Sequence, residues 1–189
     1  FRRVLFRSQQ NYAIRENATH LHARQVFTGQ YWDEFGLAAH VVPDGAKVLL
    51  LGLALGGGVR PILAANKRME LTTVDLDSRS LHECREVFAK HFPSLSFSTV
   101  CADAELFLAG SNEHYHAIWV DLYLAESYAP LTLDPDFLSQ LHQRLEPGGV
   151  LFVNAYGIPN QFSPLECDTL QAGLGARLQA EFAFVGALP

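Results

Sequence analysis

Cysteine is scarce in this sequence. Cys84, Cys101 and Cys167 are its only three, far apart in 189 residues and without paired spacing. A scattered, odd set excludes a disulfide framework or thiolate zinc site and reads as reduced thiols in a cytoplasmic protein. Long hydrophobic runs are also lacking. No apolar stretch approaches the roughly 20 residues that span a bilayer, so no membrane segment is expected. Basic charge is the third shortage: 14 Lys and Arg stand against 20 Asp and Glu, a net charge of −6. Nucleic-acid binding needs a concentrated basic face, so no nucleic-acid partner is expected. Internal repeats and low-complexity segments are missing as well. What remains, 49% hydrophobic and 18% charged residues, suits one domain with a substantial core.

Histidine is better represented, with eight residues. His20 with His22, and His114 with His116, lie two apart, which on a strand puts each pair on one face. No acid or cysteine of suitable spacing joins either pair. Surface or hydrogen-bonded histidines are the reading, and no metal is expected.

The opening "FRRVLFRS", residues 1–8, is the one strongly basic run. Its alternation would suit an edge strand. It also coincides with one reading frame of a widely used sequencing adaptor, so it is set aside as a non-native segment. No apolar segment of about 7–15 residues follows, which argues against a signal peptide. Residues 9–40 read as the remnant of an N-terminal extension, with "GQYWDEFGLAAHVV" helical where it joins the core. Residues 41–189 read as one core domain. It stops directly after a strand-like segment, so a last strand is expected to be cut off.

From Lys47 onward, strand-like and helix-like segments alternate. "KVLLL" is continuously apolar, as a central parallel strand buried on both faces should be. "GVRPILAAN" opens a helix, with Pro61 tolerable only in the first turn. "ELTTVDLD" is a second strand. Ser78 can cap the next helix, whose Leu81, Cys84, Val87 and Phe88 share one face. "LSFSTVC" alternates as a third strand, and a short helix from "DAELFLAG" follows it. "YHAIWVDLY" is a fourth strand, with the loop "LAESYAPLTL" leading to the helix "DPDFLSQLHQRLE". "PGG" reads as a turn before a fifth strand, "VLFVNAY". A helix over about 164–180 and a sixth strand near 182–185 complete the series. Repeated strand–helix–strand units mean an α/β fold with a doubly wound, mostly parallel, Rossmann-like sheet. Its ligand crevice lies at the carboxyl ends of the strands.

That edge collects an ordered set: the glycine cluster after the first strand, Asp75 after the second, Asp103 after the third and Asp121 at the end of the fourth. Glycines let backbone approach a nucleotide. A carboxylate closing the next strand can accept hydrogen bonds from ribose hydroxyls. One strand further on, a carboxylate can accept from an exocyclic amine such as adenine N6. Singly these signals are weak, and Asp103 also stands where a helix cap belongs. Four in register point to an adenosine-containing ligand. Gly52, Ala54 and Gly57 approximate the dinucleotide turn G-x-G-x-x-G, with Ala54 at the position that must approach a pyrophosphate.

Gly52, Ala54 and Gly56 instead resemble the G-x-G-x-G turn of class I S-adenosylmethionine-dependent enzymes. In that family an acid after strand two binds ribose. An Asp-Ala or Asp-Gly pair after strand three, here Asp103-Ala104, meets adenine, and L-x-P-G-G precedes strand five. Many class I methyltransferases carry an acid two residues before the first glycine, where this sequence has Leu50. Spermidine-synthase-like proteins are apolar there, and "VLLLG", "TTVDLD", "CADAELFL", "YHAIWVDLY" and "LEPGGVLFV" resemble their sequence blocks over residues 47–185. The resemblance implies a class I methyltransferase-type sheet with its last strand missing. It implies S-adenosylmethionine or its decarboxylated form as co-substrate, held by Gly52, Ala54, Gly56, Gly57, Asp75, Asp103 and Ala104. Asp121 becomes the catalytic carboxylate facing an amine acceptor, a polyamine among the candidates. Polyamine biosynthesis and methyl transfer both stay open, and a homodimer is one assembly left open.

Two departures bear on the acceptor. Spermidine synthases carry an acid within the glycine cluster, where Leu55 stands, and a second acid three residues after the catalytic aspartate, where Leu124 stands. Glu126 offers a substitute for that second acid; a solvated loop charge is the alternative. Tyr123 and Tyr128 lie in the loop overhanging the crevice and are candidate acceptor contacts with Glu126. Tyr12, Tyr31 and Trp32 could wall a pocket, and Gln30 and Asp33 precede the core where the family places acceptor contacts. A non-catalytic nucleoside-binding or scaffolding protein of the same fold is the second hypothesis, and an NAD-dependent oxidoreductase the third.

Overall fold

The fold is that of a computed structural model describing residues 26–27, 31–64, 68–124, 127–154, 174 and 176–183. The apolar run of the sequence forms β1 (Lys47–Leu51). Val48, Leu49, Leu50 and Leu51 are all buried, because a strand covered by helices on both faces has no wet side. Alternate side chains serve opposite layers. Val48 and Leu50 join one hydrophobic cluster, and Leu49 and Leu51 join the other.

Four strands flank β1 directly or through a neighbour: β2 (Glu70–Asp75), β3 (Ser98–Cys101), β4 (Tyr115–Val120) and β7 (Leu145–Val153). The order is β3-β2-β1-β4-β7 and every pairing is parallel. This is the expected doubly wound α/β sheet. The chain runs outward from β1 to β3, then returns to lay β4 against the other side of β1. Strand order therefore reverses between β1 and β4, and a crevice opens at their carboxyl ends.

One face of the sheet is covered by a 3₁₀ helix (Tyr31–Leu37), α2 (Val59–Ala64) and α3 (Ser78–His91), through Phe35, Ile62, Leu81, Cys84 and Phe88. The short α1 (Ala38–Val41) links the 3₁₀ helix to the core. On the other face lie α4 (Ala104–Gly110) and α5 (Pro135–Gln143), through Leu108, Phe137, Leu138 and Leu141. Pro61 sits at the third position of α2, where its missing N–H costs no helical bond. No helix among the described residues is long and apolar enough to cross a membrane.

Several sequence expectations shift in detail. Asp77, not Ser78, caps α3: its carboxylate accepts from Arg79 N–H at 2.9 Å and from the Ser80 hydroxyl at 3.3 Å. A carboxylate one residue earlier reaches the orphan N–H groups of the first turn, so Ser78 becomes the first helical residue. The third strand starts only at Ser98. The fourth ends at Val120, and the following loop contains a small antiparallel ribbon of β5 (Tyr123–Leu124) and β6 (Ser127–Tyr128). "PGG" is not a separate turn but lies within β7. Tyr115 pairs with Leu145 while Ala117 pairs with Val150, so the residues between form a bulge that Gly148, at φ 81°, can accommodate. Residues 176–181 are helical as expected, yet Phe182 N–H still bonds Leu178 O at 2.8 Å, so no strand begins there. The rest of the expected sixth strand, and most of the helix before it, lie outside the described residues.

Candidate functional site

The turn after β1 is shaped by three residues in left-handed conformation: Gly52 at φ 92°, Ala54 at 47° and Gly56 at 83°. Each glycine is required for its own reason. A Cβ on Gly52 would lie 2.2 Å from the backbone oxygen of Asp121, since β1 and β4 converge there. At Gly56 a Cβ would lie 2.6 Å from Cys84 Sγ, where α3 passes under the turn. Ala54 holds its positive φ with a side chain, at a cost of order 1 kcal/mol. Gly57 lines the crevice above them.

Asp75 holds this turn in place. Its Oδ2 accepts from Leu53 N–H and Ala54 N–H, both at 2.9 Å, and its Oδ1 accepts from Asp77 N–H at 2.8 Å. A carboxylate offers about four lone-pair sites, so these three bonds leave one, on Oδ1. The residue expected to bind ribose is thus also the clamp that fixes Ala54 in its strained conformation. Asp103 is the N-cap of α4, its Oδ1 accepting from Glu105 N–H at 2.9 Å and Leu106 N–H at 3.2 Å. The cap reading of Asp103 is the one the structure shows, and both cap bonds go to Oδ1. Ala104, next to it, is buried in the core of that face.

Across the switch point Asp121 N–H donates to Leu51 O at 2.8 Å, which extends the β1–β4 ladder by one step. Its half-buried carboxylate accepts from Asn154 Nδ2 at 2.8 Å, at Oδ1. Asn154 follows β7 as Asp121 follows β4, and its own N–H bonds Val120 O at 2.9 Å. The Tyr123 hydroxyl donates to Asn154 O at 3.4 Å, drawing the β5–β6 ribbon toward the same point. Tyr123 pairs in register with Tyr128. Glu126 lies outside the described residues, as do Tyr12, Gln30, His20 and His22.

The crevice between turn and Asp121 is walled by Trp32, Phe35, Leu50, Leu53 and Leu55. The 3₁₀ helix supplies two of these. Phe35 stacks on Trp119 at 4.4 Å between ring centroids, and Trp119 stacks on Phe152 at 3.8 Å. Gly58 makes room for Phe35, since a Cβ there would lie 2.3 Å from its ring. Beneath the turn, burial pushes the Cys84 thiol up to about 12, so this cysteine stays protonated and inert. His116 is a hydrogen-bonded histidine, its Nδ1 accepting from Lys47 N–H at 3.2 Å.

The structure therefore brings Gly52, Ala54, Gly56, Gly57, Asp75 and Asp121 around one turn, with Asp103 and Ala104 two strands along the same edge. Two contributors escaped sequence reasoning. Asn154 had a signal, a polar residue closing an apolar strand in register with Asp121. Phe35 had less, its place being set by a 3₁₀ helix whose approach to Gly58 is a tertiary event.

The fold is a Rossmann-like domain of the kind seen in class I methyltransferases, with its crevice at the β1/β4 switch point. No protein-family model matches the chain. In sequence it is similar to a probable polyamine aminopropyl transferase of Bifidobacterium longum, 29% identical over 128 residues. That match covers 67% of this chain but only 28% of the relative, so the chain spans well under a third of it. In fold it is similar to a spermidine synthase solved with the transition-state analogue AdoDATO, at TM-score 0.63 and 16% identity, covering 82% of this chain and 53% of that one. The C-terminal domain of precorrin-6Y C5,15-methyltransferase from Rhodobacter capsulatus matches at TM-score 0.57 and 20% identity, over 85% and 76% of the two chains. An S-adenosylmethionine-dependent methyltransferase from Agrobacterium tumefaciens matches at 0.57 and 19%, over 78% and 47%. The resemblance read from the sequence blocks thus holds in both sequence and fold.

Proposed function

We propose that this domain binds an adenosine sulfonium, S-adenosylmethionine or its decarboxylated form, and transfers a methyl or aminopropyl group to an amine. The observation that carries the reading is the meeting of Gly52 and Asp121 at the switch point, with Asp75 and Asp103 along the same edge. The residues suit such a ligand. The turn exposes backbone where side chains would intrude, Asp75 keeps one acceptor for ribose, and Asp103 Oδ2 can take the adenine amine. The aminopropyl transferase and spermidine synthase relatives support the same class.

A sulfonium carbon is already electrophilic, so the protein's task is to align the amine and take its proton. The nitrogen lone pair forms the new N–C bond while the C–S bond breaks. The bonding pair goes to sulfur, leaving a neutral thioether, and the surplus N–H proton passes to the Asp121 carboxylate. Asn154 keeps that carboxylate oriented. A cytoplasmic location is part of this proposal.

A second reading, nucleoside binding without catalysis, is favoured by Leu55 and Leu124, which stand where spermidine synthases carry acids. Calorimetry with S-adenosylmethionine, its decarboxylated form, methylthioadenosine and NAD separates the classes. Binding of the sulfonium nucleosides or methylthioadenosine is expected, and binding of NAD alone would overturn the proposal. Asp121→Asn is expected to lower turnover by at least about 100-fold while nucleoside affinity stays within about twofold. Unchanged turnover would sink the role of Asp121, and no turnover in the parent protein with any amine would leave the second reading.

A further inference from the structure

We infer that Asp75 reads one ribose hydroxyl of the ligand and not both, because the same carboxylate has to keep hold of the turn after β1. This rests on the nucleoside reading above and deepens it. A carboxylate offers about four lone-pair sites, and three of these are taken from within the chain. Oδ2 accepts from Leu53 N–H and Ala54 N–H, both at 2.9 Å, and Oδ1 accepts from Asp77 N–H at 2.8 Å. Oδ2 is filled, and a single site on Oδ1 is left.

To take both hydroxyls of a ribose, one on each oxygen, the carboxylate would have to give up a bond to the turn. Leu53 is 3% exposed, so little water reaches it to replace the carboxylate on its N–H. A buried donor stripped of its partner loses the whole interaction, whereas a sugar hydroxyl only exchanges water for a carboxylate and gains less. Ala54 sits at φ 47°, which an alanine keeps only under restraint, and its bond to Oδ2 supplies that restraint. Surrendering the Asp77 bond instead would loosen the residue that caps α3. The arrangement that keeps all three bonds is one hydroxyl on the open site of Oδ1. The turn then keeps its shape when the nucleoside enters, and the neighbouring hydroxyl makes no bond to Asp75.

Two measurements on the full chain test this. The first is amide hydrogen exchange of Leu53 and Ala54, read by NMR with and without saturating methylthioadenosine. Both amides are expected to exchange no faster in the complex. Faster exchange at either one would show that the carboxylate has left the turn for the ribose, and would overturn the inference. The second is calorimetry with methylthioadenosine and its 2′-deoxy and 3′-deoxy analogues, on the parent chain and on Asp75→Asn. In the parent, one deoxy analogue is expected to bind about tenfold more weakly than methylthioadenosine, or worse. Asp75→Asn should remove most of that difference and leave the other analogue's ratio to methylthioadenosine within about twofold of its parent value. A substitution that shifts both ratios means that Asp75 takes both hydroxyls, and one that shifts neither means that it takes none; each result sinks the inference while the nucleoside reading stands. Failure of methylthioadenosine to bind the parent chain removes that reading, and the inference with it. Should Asp75→Asn not fold or not bind, the exchange measurement decides alone.

Discussion

Asn154 is the residue on which the geometry of Asp121 depends. Its Nδ2 holds Asp121 Oδ1 at 2.8 Å, and its backbone N–H is itself tied to Val120 O at 2.9 Å, so the amide cannot drift from the carboxylate. A carboxylate that rotates by even a small angle no longer presents its oxygen along the line of an incoming N–H, and transfer is sensitive to such misplacement. Asn154→Ala is therefore expected to reduce turnover by about 10- to 100-fold, with nucleoside affinity nearly unchanged because Asp75, Asp103 and the turn are untouched. The comparison of turnover with binding of methylthioadenosine checks this. A parallel loss of both would mean that Asn154 supports the fold of the edge rather than the orientation of Asp121. Asp75 works differently, because its three backbone bonds bind the turn and the start of α3 to one carboxylate.

At the scale of elements, the turn after β1 is only as firm as the helix beneath it. Cys84 and Phe88 of α3 stand against Gly56, and α3 is fixed at its start by Asp77, which satisfies Arg79 N–H. Asp77→Ala removes that cap and is expected to cost about 1 kcal/mol of stability. Urea unfolding followed by circular dichroism measures it, and the midpoint should fall with an unchanged slope. Elements of this kind were largely legible in the sequence. β1 announced itself as an uninterrupted apolar run, and α3 by Leu81, Cys84 and Phe88 at helical spacing, since burial imposes those patterns directly. The order of strand-end acids was legible for the same reason: strand ends follow from strand positions. What was not legible depended on contacts between distant segments. "PGG" reads locally as a turn, but pairing of β7 with β4 carries the strand through it as a bulge. The hold of Asp75 on the turn, beside its proposed ligand role, needed the distance between two loops that no spacing reveals. Phe35 reaches the crevice only because Gly58 leaves space for its ring.

Taken whole, the molecule divides its work between the two ends of one parallel sheet. The carboxyl end holds the turn, the aspartates and Asn154. The amino end is fastened by surface groups: Lys47 Nζ pairs with Glu113, Lys47 N–H bonds His116, and Tyr115 N–H bonds Arg144 O. β1 and β4 run between the two ends, and sites so separated with no shared partner should respond independently. Lys47→Met tests this division. The pair holds the Glu113 carboxyl below its ordinary range and the Lys47 ammonium above its own, each through the hydrogen bond to the other. A depressed carboxylate stabilises the fold above its unfolded-state value, and that contribution disappears as pH falls through the folded value. A raised ammonium stabilises below its unfolded-state value and is lost as pH rises through the folded one. The pair therefore contributes across the neutral window, weakly because both groups are exposed, and less as salt is added. Lys47→Met should produce a small fall in melting temperature at neutral pH that shrinks toward acid pH and at high salt. Affinity for methylthioadenosine should not move. A change in that affinity would show that the amino end of β1 is coupled to the turn at its other end, and that the sheet transmits strain along its central strand.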